Sequence, residues 1–207
     1  VKYAKLVDDN DSFNGVFVNQ NDAYRLLKDI GFNKEICSNT NIYSYNKLAY
    51  LNNKNNYNYT LAPIELDLKN IKDVECYDSL VMMYGKAPLM QSANCILKTK
   101  DLCAKYSKYD NNSFVYMKDR LKVSFPVRLR CSDYLCFNTI YNSKPNSLHK
   151  YYNTLKNAGF NRFYFRFTDE SMTELHSILS YFKDILSGID KNPEFDYTNG
   201  HIKGGIL

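Results

Sequence analysis

Tyr59-Thr60-Leu61-Ala62 and Leu80-Val81-Met82-Met83 are short apolar runs, and the segment between them carries Leu68 and Ile71 at helical spacing. A run this short, continuous and free of polar alternation suits a strand buried on both faces. Working toward the amino end, the same unit recurs. Glu35-Ile36-Cys37-Ser38 and Gly15-Val16-Phe17-Val18 read as two further strands. Asn21 can cap a helix running through Leu26, Leu27 and Ile30 that Gly31 stops, and Tyr45 to Leu51 reads as a second helix. The polar run Asn52-Asn53-Lys54-Asn55-Asn56 reads as a surface loop. Residues 1–85 are therefore expected to form parallel βα units.

Toward the carboxyl end the rhythm breaks over residues 86–145. Phe114-Val115-Tyr116-Met117 and Val123-Ser124-Phe125-Pro126-Val127 flank Lys118-Asp119-Arg120-Leu121, which predicts a hairpin. Pro126 lacks an amide N–H and is expected at a sheet edge or strand end. Regular alternation resumes over 146–207. Ser147 is a candidate cap for a helix through Leu148, Tyr152, Leu155 and Ala158, ended by Gly159. Arg162 to Phe167 reads as a strand. Ser171-Met172-Thr173-Glu174 fits a capping box opening a helix with Leu175, Ile178, Leu179, Phe182 and Ile185. The tail from Asp190 is loop-like. No composition shift separates a second domain, so the three stretches are read as one structural domain.

The chain has 207 residues, 44% of them hydrophobic, enough for a real core. No stretch approaches the ~18 apolar residues of a membrane span. Val1-Lys2-Tyr3-Ala4 carries neither an initiator Met nor an apolar signal core. The chain reads as a segment of a longer protein. Six cysteines without a secretory signal point to a reducing, cytoplasmic setting.

Cys95, Cys103, Cys131 and Cys136 lie on either side of the expected hairpin. Thiolates are soft ligands suited to zinc or an iron–sulfur cluster. Their spacing is wider than the Cys-x-x-Cys of a zinc ribbon, and buried cysteines also serve as small hydrophobes. Cys37, within a strand, and Cys76, beside one, are read as packing residues. The formal net charge is +5, yet residues 98–130 alone hold nine basic side chains against three acids. Lys98, Lys100, Lys105, Lys118, Arg120, Arg128 and Arg130 can offset a negative cluster, hold a phosphate backbone, or form a solvated face. Glu65 follows a strand, where parallel βα folds place their chemistry, and can act as acid, base or helix N-terminal charge. Of three histidines, His149 and His176 are expected on helix surfaces, and His201 in the tail is the catalytic candidate. No nucleophile elbow, His-Glu-x-x-His, P-loop or Gly-x-Gly-x-x-Gly is present.

From Tyr84-Gly85-Lys86-Ala87-Pro88-Leu89-Met90 into Cys95 the sequence resembles the U32 peptidase family, the collagenase-like proteases, and within it the carboxy-terminal half of the long two-part members. Met117-Lys118-Asp119-Arg120, Phe125-Pro126-Val127, Cys136-Phe137-Asn138-Thr139-Ile140-Tyr141-Asn142-Ser143, Arg162 to Thr168 with Glu174, and Thr198-Asn199-Gly200-His201-Ile202-Lys203 resemble further blocks in the same order. The family's paired Gly-x-Cys signature is absent, Lys86 stands where Arg is usual, and Gly204 where Arg would follow.

The resemblance implies an α/β fold, a partial TIM-like (β/α) barrel with a cysteine-bearing β-hairpin insertion. It implies that Cys95, Cys103, Cys131 and Cys136 ligate a 4Fe–4S cluster. It also implies oxygen-independent hydroxylation of RNA, with prephenate as co-substrate, or, following the family name, hydrolysis of a peptide substrate such as collagen. A non-catalytic half-barrel docked to the amino-terminal half of the same parent protein is the third reading. No membrane partner is expected.

Overall fold

The computed structural model describes residues 2–100, 113–131 and 136–204, with the side chains of all but 2, 3, 100 and 131. Cys103 and Lys105 lie outside the described residues. The protein is a mixed α/β structure of two compact units. The first comprises Val1–Met83, Lys150–Tyr164 and Asn199–Leu207, the second Tyr84–His149 and Phe165–Thr198.

The first unit opens with α1 (Lys2–Asp8), a helix the sequence did not announce. Then come β1 (Gly15–Val18), α2 (Asn21–Asp29), β2 (Glu35–Ser38), α3 (Lys47–Asn56), α4 (Leu68–Val74) and the start of β3 (Leu80–Gly85). β1 and β2 pair in parallel, with Gly15 opposite Glu35. Tyr59-Thr60-Leu61-Ala62 is extended but makes single parallel bridges, Cys37 to Tyr59 and Leu61 to Leu80. Each extended segment thus neighbours the next in parallel, and the intervening helices make the crossovers. Val18, Leu27, Phe32, Ile36, Ile42 and Tyr57 form a core cluster.

Local chemistry explains the helix starts and corrects some expectations. Asn46 caps α3 by accepting from the Ala49 amide at 2.9 Å, and Asp67 caps α4 by accepting from Asn70 at 2.8 Å. Asn21 does not cap α2: it is the first helical residue, and its Oδ1 accepts from the Tyr57 hydroxyl at 2.6 Å. The asparagine run is helix, not loop. Asn53 is turned inward, and its amide donates to the Tyr43 carbonyl (3.2 Å) and the Ser44 hydroxyl (3.0 Å). Those tertiary hydrogen bonds outweigh the weak helix propensity of asparagine. Later in the chain, α5 (Tyr152–Asn157) buries Leu155, and Phe160 beyond it is also fully buried.

The second unit is built on an antiparallel sheet of order β4 (Pro88–Ser92), β7 (Cys136–Tyr141), β6 (Ser124–Cys131), β5 (Phe114–Lys118). The expected hairpin is β5–β6. Its turn is held by Asp119, whose Oδ1 accepts from the amides of Leu121 (2.8 Å) and Val123 (2.9 Å). Pro126 sits in an interior strand rather than at an edge. It pairs with Tyr116 on β5, but the β6–β7 ladder begins one residue later, at Val127, so the missing N–H falls where β7 makes no pairing. β8 (Asn146–Ser147) pairs antiparallel with the last residues of β3, and β9 (Arg162–Arg166) lies on the other side of β3. Gly85 has a φ of 149°, and a Cβ there would stand 2.6 Å from the Arg166 carbonyl oxygen, so only glycine fits. α6 (Met172–Leu186) opens on the expected capping box, Ser171 with Glu174. It buries Ile178, Tyr181 and Phe182, the last packing against the rings of Phe165 and Tyr84.

Ser147 lies in β8 and caps no helix; its hydroxyl pairs with His149 Nδ1 at 2.8 Å. His149 is not a surface residue either. It is 7% exposed, edge-on to Tyr181 and Tyr197. No sheet closes into a barrel among the described residues, and no helix there is long and apolar enough to cross a membrane.

Candidate functional site

The register of the antiparallel sheet brings three of the four cysteine positions to one end of one face. Cys131, the last residue of β6, lies opposite Cys136, the first of β7. Opposite positions of an antiparallel pair share a face, and alternate residues along a strand do too. Val127, Leu129 and position 131 of β6 therefore lie with Cys136, Asn138 and Ile140 of β7. Cys95 follows the end of β4, where Ser92 pairs with Asn138. The Asn138 side chain donates to the carbonyl of Asn94 at 2.5 Å, which holds the loop bearing Cys95 over that same face. Cys95 and Cys136 are half-buried and carry no disulfide. No group of three or more ligating side chains is formed among the described residues; the Cys103 residue and the Cys131 side chain lie outside them. The two described thiols near this sheet end, Cys95 and Cys136, are soft donors of the kind that hold a thiolate-bound cluster.

Cys37 and Cys76 are both in the first unit and buried, and burial pushes each thiol up to about 11, helped at Cys37 by the nearby Glu35. Neither is a ready thiolate ligand.

Arg128 and Arg130 alternate onto the opposite face of β6, where Arg130 stacks its guanidinium 5.9 Å from the Phe137 ring. Lys118 and Arg120 are exposed at the β5–β6 turn, and Lys98 is exposed in the short helical turn Lys98–Lys100. Arg130 and the turn residues offer charge to solvent, as a phosphate-binding face requires.

Glu65 lies in the loop after the Leu61 bridge, beside a cavity of about 10 Å³ lined by Ile42, Tyr43 and Ser44 among others, with room for about one water. Its carboxylate accepts from the Tyr45 hydroxyl. Burial, and then that carboxylate, push the Tyr45 phenol far above its ordinary value. His201 is exposed in a turn. The next residue, Ile202, accepts from the Leu68 amide at 3.1 Å, which brings the tail beside the start of α4, three residues beyond Glu65.

A cavity of about 530 Å³ in the second unit was missed by sequence reasoning. Tyr84, Lys86, Glu170, Glu174, Glu194, Phe195 and Asp196 are among its lining residues. Lys86 forms an ion pair with Asp169, the two side chains only 14% and 7% exposed. Burial pushes the Asp169 carboxyl up, but Lys86 and the hydroxyls of Thr168 and Tyr116 outweigh it and leave it below its ordinary value. The Tyr84 hydroxyl donates to Glu170 at 3.1 Å; burial, then the Glu170 charge, drive that phenol well above its usual range. Two sequence signals mark the place: Lys86 directly follows one strand, and Asp169-Glu170 follow another. The cavity lining holds four carboxylates and two lysines, and both lysines are already in ion pairs, Lys86 with Asp169 and Lys144 with Asp196 at 3.2 Å.

No family model matches the sequence, and no curated protein or solved structure matches it significantly.

Proposed function

We propose that this chain is the carboxy-terminal portion of a U32-type protein, a partial TIM-like barrel carrying a cysteine-bearing sheet. In this reading Cys95, Cys103, Cys131 and Cys136 hold a 4Fe–4S cluster that supports oxygen-independent hydroxylation of RNA in the cytoplasm. The observation that carries it is the convergence of positions 95, 131 and 136 at one end of the antiparallel sheet. The partial-barrel reading draws on the succession of parallel neighbours from β1 to β3.

A bound cluster supplies one-electron chemistry. The chain's own residues supply the rest. Four thiolates hold the group. Lys98, Lys100, Lys105, Lys118, Arg120, Arg128 and Arg130 form the basic stretch that attracts RNA phosphates, and Phe137 under Arg130 offers a stacking surface. Glu65 and His201 are the candidate acid–base groups of the first unit. The 530 Å³ cavity is not assigned to prephenate, because its lining is rich in carboxylates and its lysines are already paired.

Peptide hydrolysis is the weaker reading. The Ser147–His149 pair places a hydroxyl against an imidazole, but Ser147 is fully buried and His149 nearly so, out of reach of a peptide bond.

The deciding experiment is anaerobic purification of the protein with iron, sulfide and absorbance measurements. About four irons and four sulfides per chain, with a broad visible band, are expected for the cluster. Colourless, iron-free protein overturns it. Gelatin cleavage by protein stripped of iron returns the peptidase reading to the front. RNA binding should weaken with salt, and the slope of log affinity against log salt should fall by about one per phosphate-contacting residue replaced.

A further inference from the structure

We infer that Asn138 is a positioning residue that locks the Cys95 loop to the strand carrying Cys136; the inference rests on the cluster reading above. Asn138 is 3% exposed, and its nearest neighbours on that face in β6 and β7 include the apolar Val127, Leu129 and Ile140. A buried amide in such a place costs stability unless its polar atoms are matched. What the amide does is specific. It lies two residues from Cys136, hence on the same face, and opposite Ser92 at the end of β4. Its Nδ2 donates at 2.5 Å to the carbonyl of Asn94, the residue before Cys95. One side chain thus spans from the strand of one thiol to the loop of another.

The same loop is tied at two more points. The Asn94 amide donates to Ser92 Oγ at 3.1 Å, and the Cys95 carbonyl accepts from the Thr99 amide and hydroxyl, both at 3.3 Å. These contacts shape the loop internally. Only the Asn138 bond fixes it against β7 among the described hydrogen bonds. Ligand loops left to wander lose metal, and groups that orient ligands are typically worth about 10–100-fold in affinity.

The test compares Asn138→Leu with a matched control. Asn53→Leu removes another buried amide that donates to a backbone carbonyl, in the first unit, which holds none of the proposed ligand cysteines. Wild type, Asn138→Leu and Asn53→Leu are purified anaerobically. Iron and sulfide content, the electron paramagnetic resonance spectrum of the reduced protein, and the half-life of the visible band in air are then measured. The expected result is a cluster in wild type and Asn53→Leu, with Asn138→Leu showing an altered resonance spectrum and a band that bleaches about tenfold faster or never forms. Should Asn138→Leu fail to fold, Asn138→Ser keeps a polar group too short to reach Asn94, and the same loss is expected. Asn138 variants that match wild type in spectrum and half-life overturn the inference and leave the cluster reading standing. Equal losses in the Asn53 and Asn138 variants overturn it as well, since the effect is then general destabilisation. Wild-type protein without iron overturns the cluster reading, and the inference with it.

Discussion

The two units handle cysteine in opposite ways. In the first, Cys37 sits within a parallel strand and Cys76 just before one; both are closed off, and their thiols titrate near 11. In the second, Cys136 opens a strand of an antiparallel sheet and Cys95 lies in the loop after β4, both half-buried, with position 131 across from 136. A parallel strand covered on both faces has no room for a ligand, so a thiol there is only a small hydrophobe. An antiparallel sheet can leave an end open, and register then gathers residues far apart in sequence. Ion pairs differ in burial too. Lys86–Asp169 in the second unit is buried, whereas Lys144–Asp196 in the same unit and Lys47–Glu75 and Lys54–Asp78 in the first are about half exposed or more on both sides.

The sharpest way to break this contrast is to exchange sulfur for oxygen on each side. Cys136→Ser should lower iron from about four per chain to near zero, while Cys37→Ser should leave the iron content unchanged. Iron loss in the Cys37 variant, or retention in the Cys136 variant, would erase the division between the units.

Next in size is the buried ion pair. Lys86→Met leaves Asp169 without its partner and should cost about 3–5 kcal/mol in urea unfolding. Because the folded Asp169 carboxyl titrates below its unfolded value, the pair's contribution is complete above about pH 4 and is lost as pH falls through the lower folded value. Unfolding curves between about pH 2 and 7 should therefore show a steeper acid limb in wild type than in Lys86→Met.

A smaller effect is expected in thiol reactivity of the iron-free protein. At about pH 8 only about a thousandth of a thiol titrating near 11 is thiolate, so Cys37 and Cys76 should alkylate at least about tenfold more slowly than Cys95 and Cys136. Mass spectrometry of labelled peptides reads this directly, and the Cys37 rate should keep climbing as pH rises toward 11. The smallest change belongs to the exposed pair of the first unit. Lys54→Met should shift unfolding by no more than about 0.5 kcal/mol, since solvent screens that pair. A loss as large as that of Lys86→Met would show that burial is not what separates the two pairs.

Strand positions were readable from apolar runs: β1, β2, β3 and β9 stand where the runs are, and β2 and β3 are buried nearly throughout, which leaves no polar alternation to confuse them. The capping box of α6 and the β5–β6 hairpin were equally legible, since each is set by residues within a few positions of one another. Local reading failed where a distant partner decided. The asparagine run became helix through Asn53 reaching Tyr43 and Ser44, and Asn21 was taken from capping by Tyr57. His149 went inside because two tyrosines and Ser147 accommodate it.

By itself, then, the sequence determined the alternating α/β character, the short apolar strands and the hairpin. Each follows from hydrophobic periodicity or turn chemistry acting over short range. Only the tertiary structure decided that the loop bearing Cys95 is tied to the strand carrying Cys136 while Arg128 and Arg130 turn to the other face. Only it placed Lys86 against Asp169 beside a cavity. Strand register and loop tethering set those outcomes, and both depend on which backbone groups find each other across dozens of intervening residues.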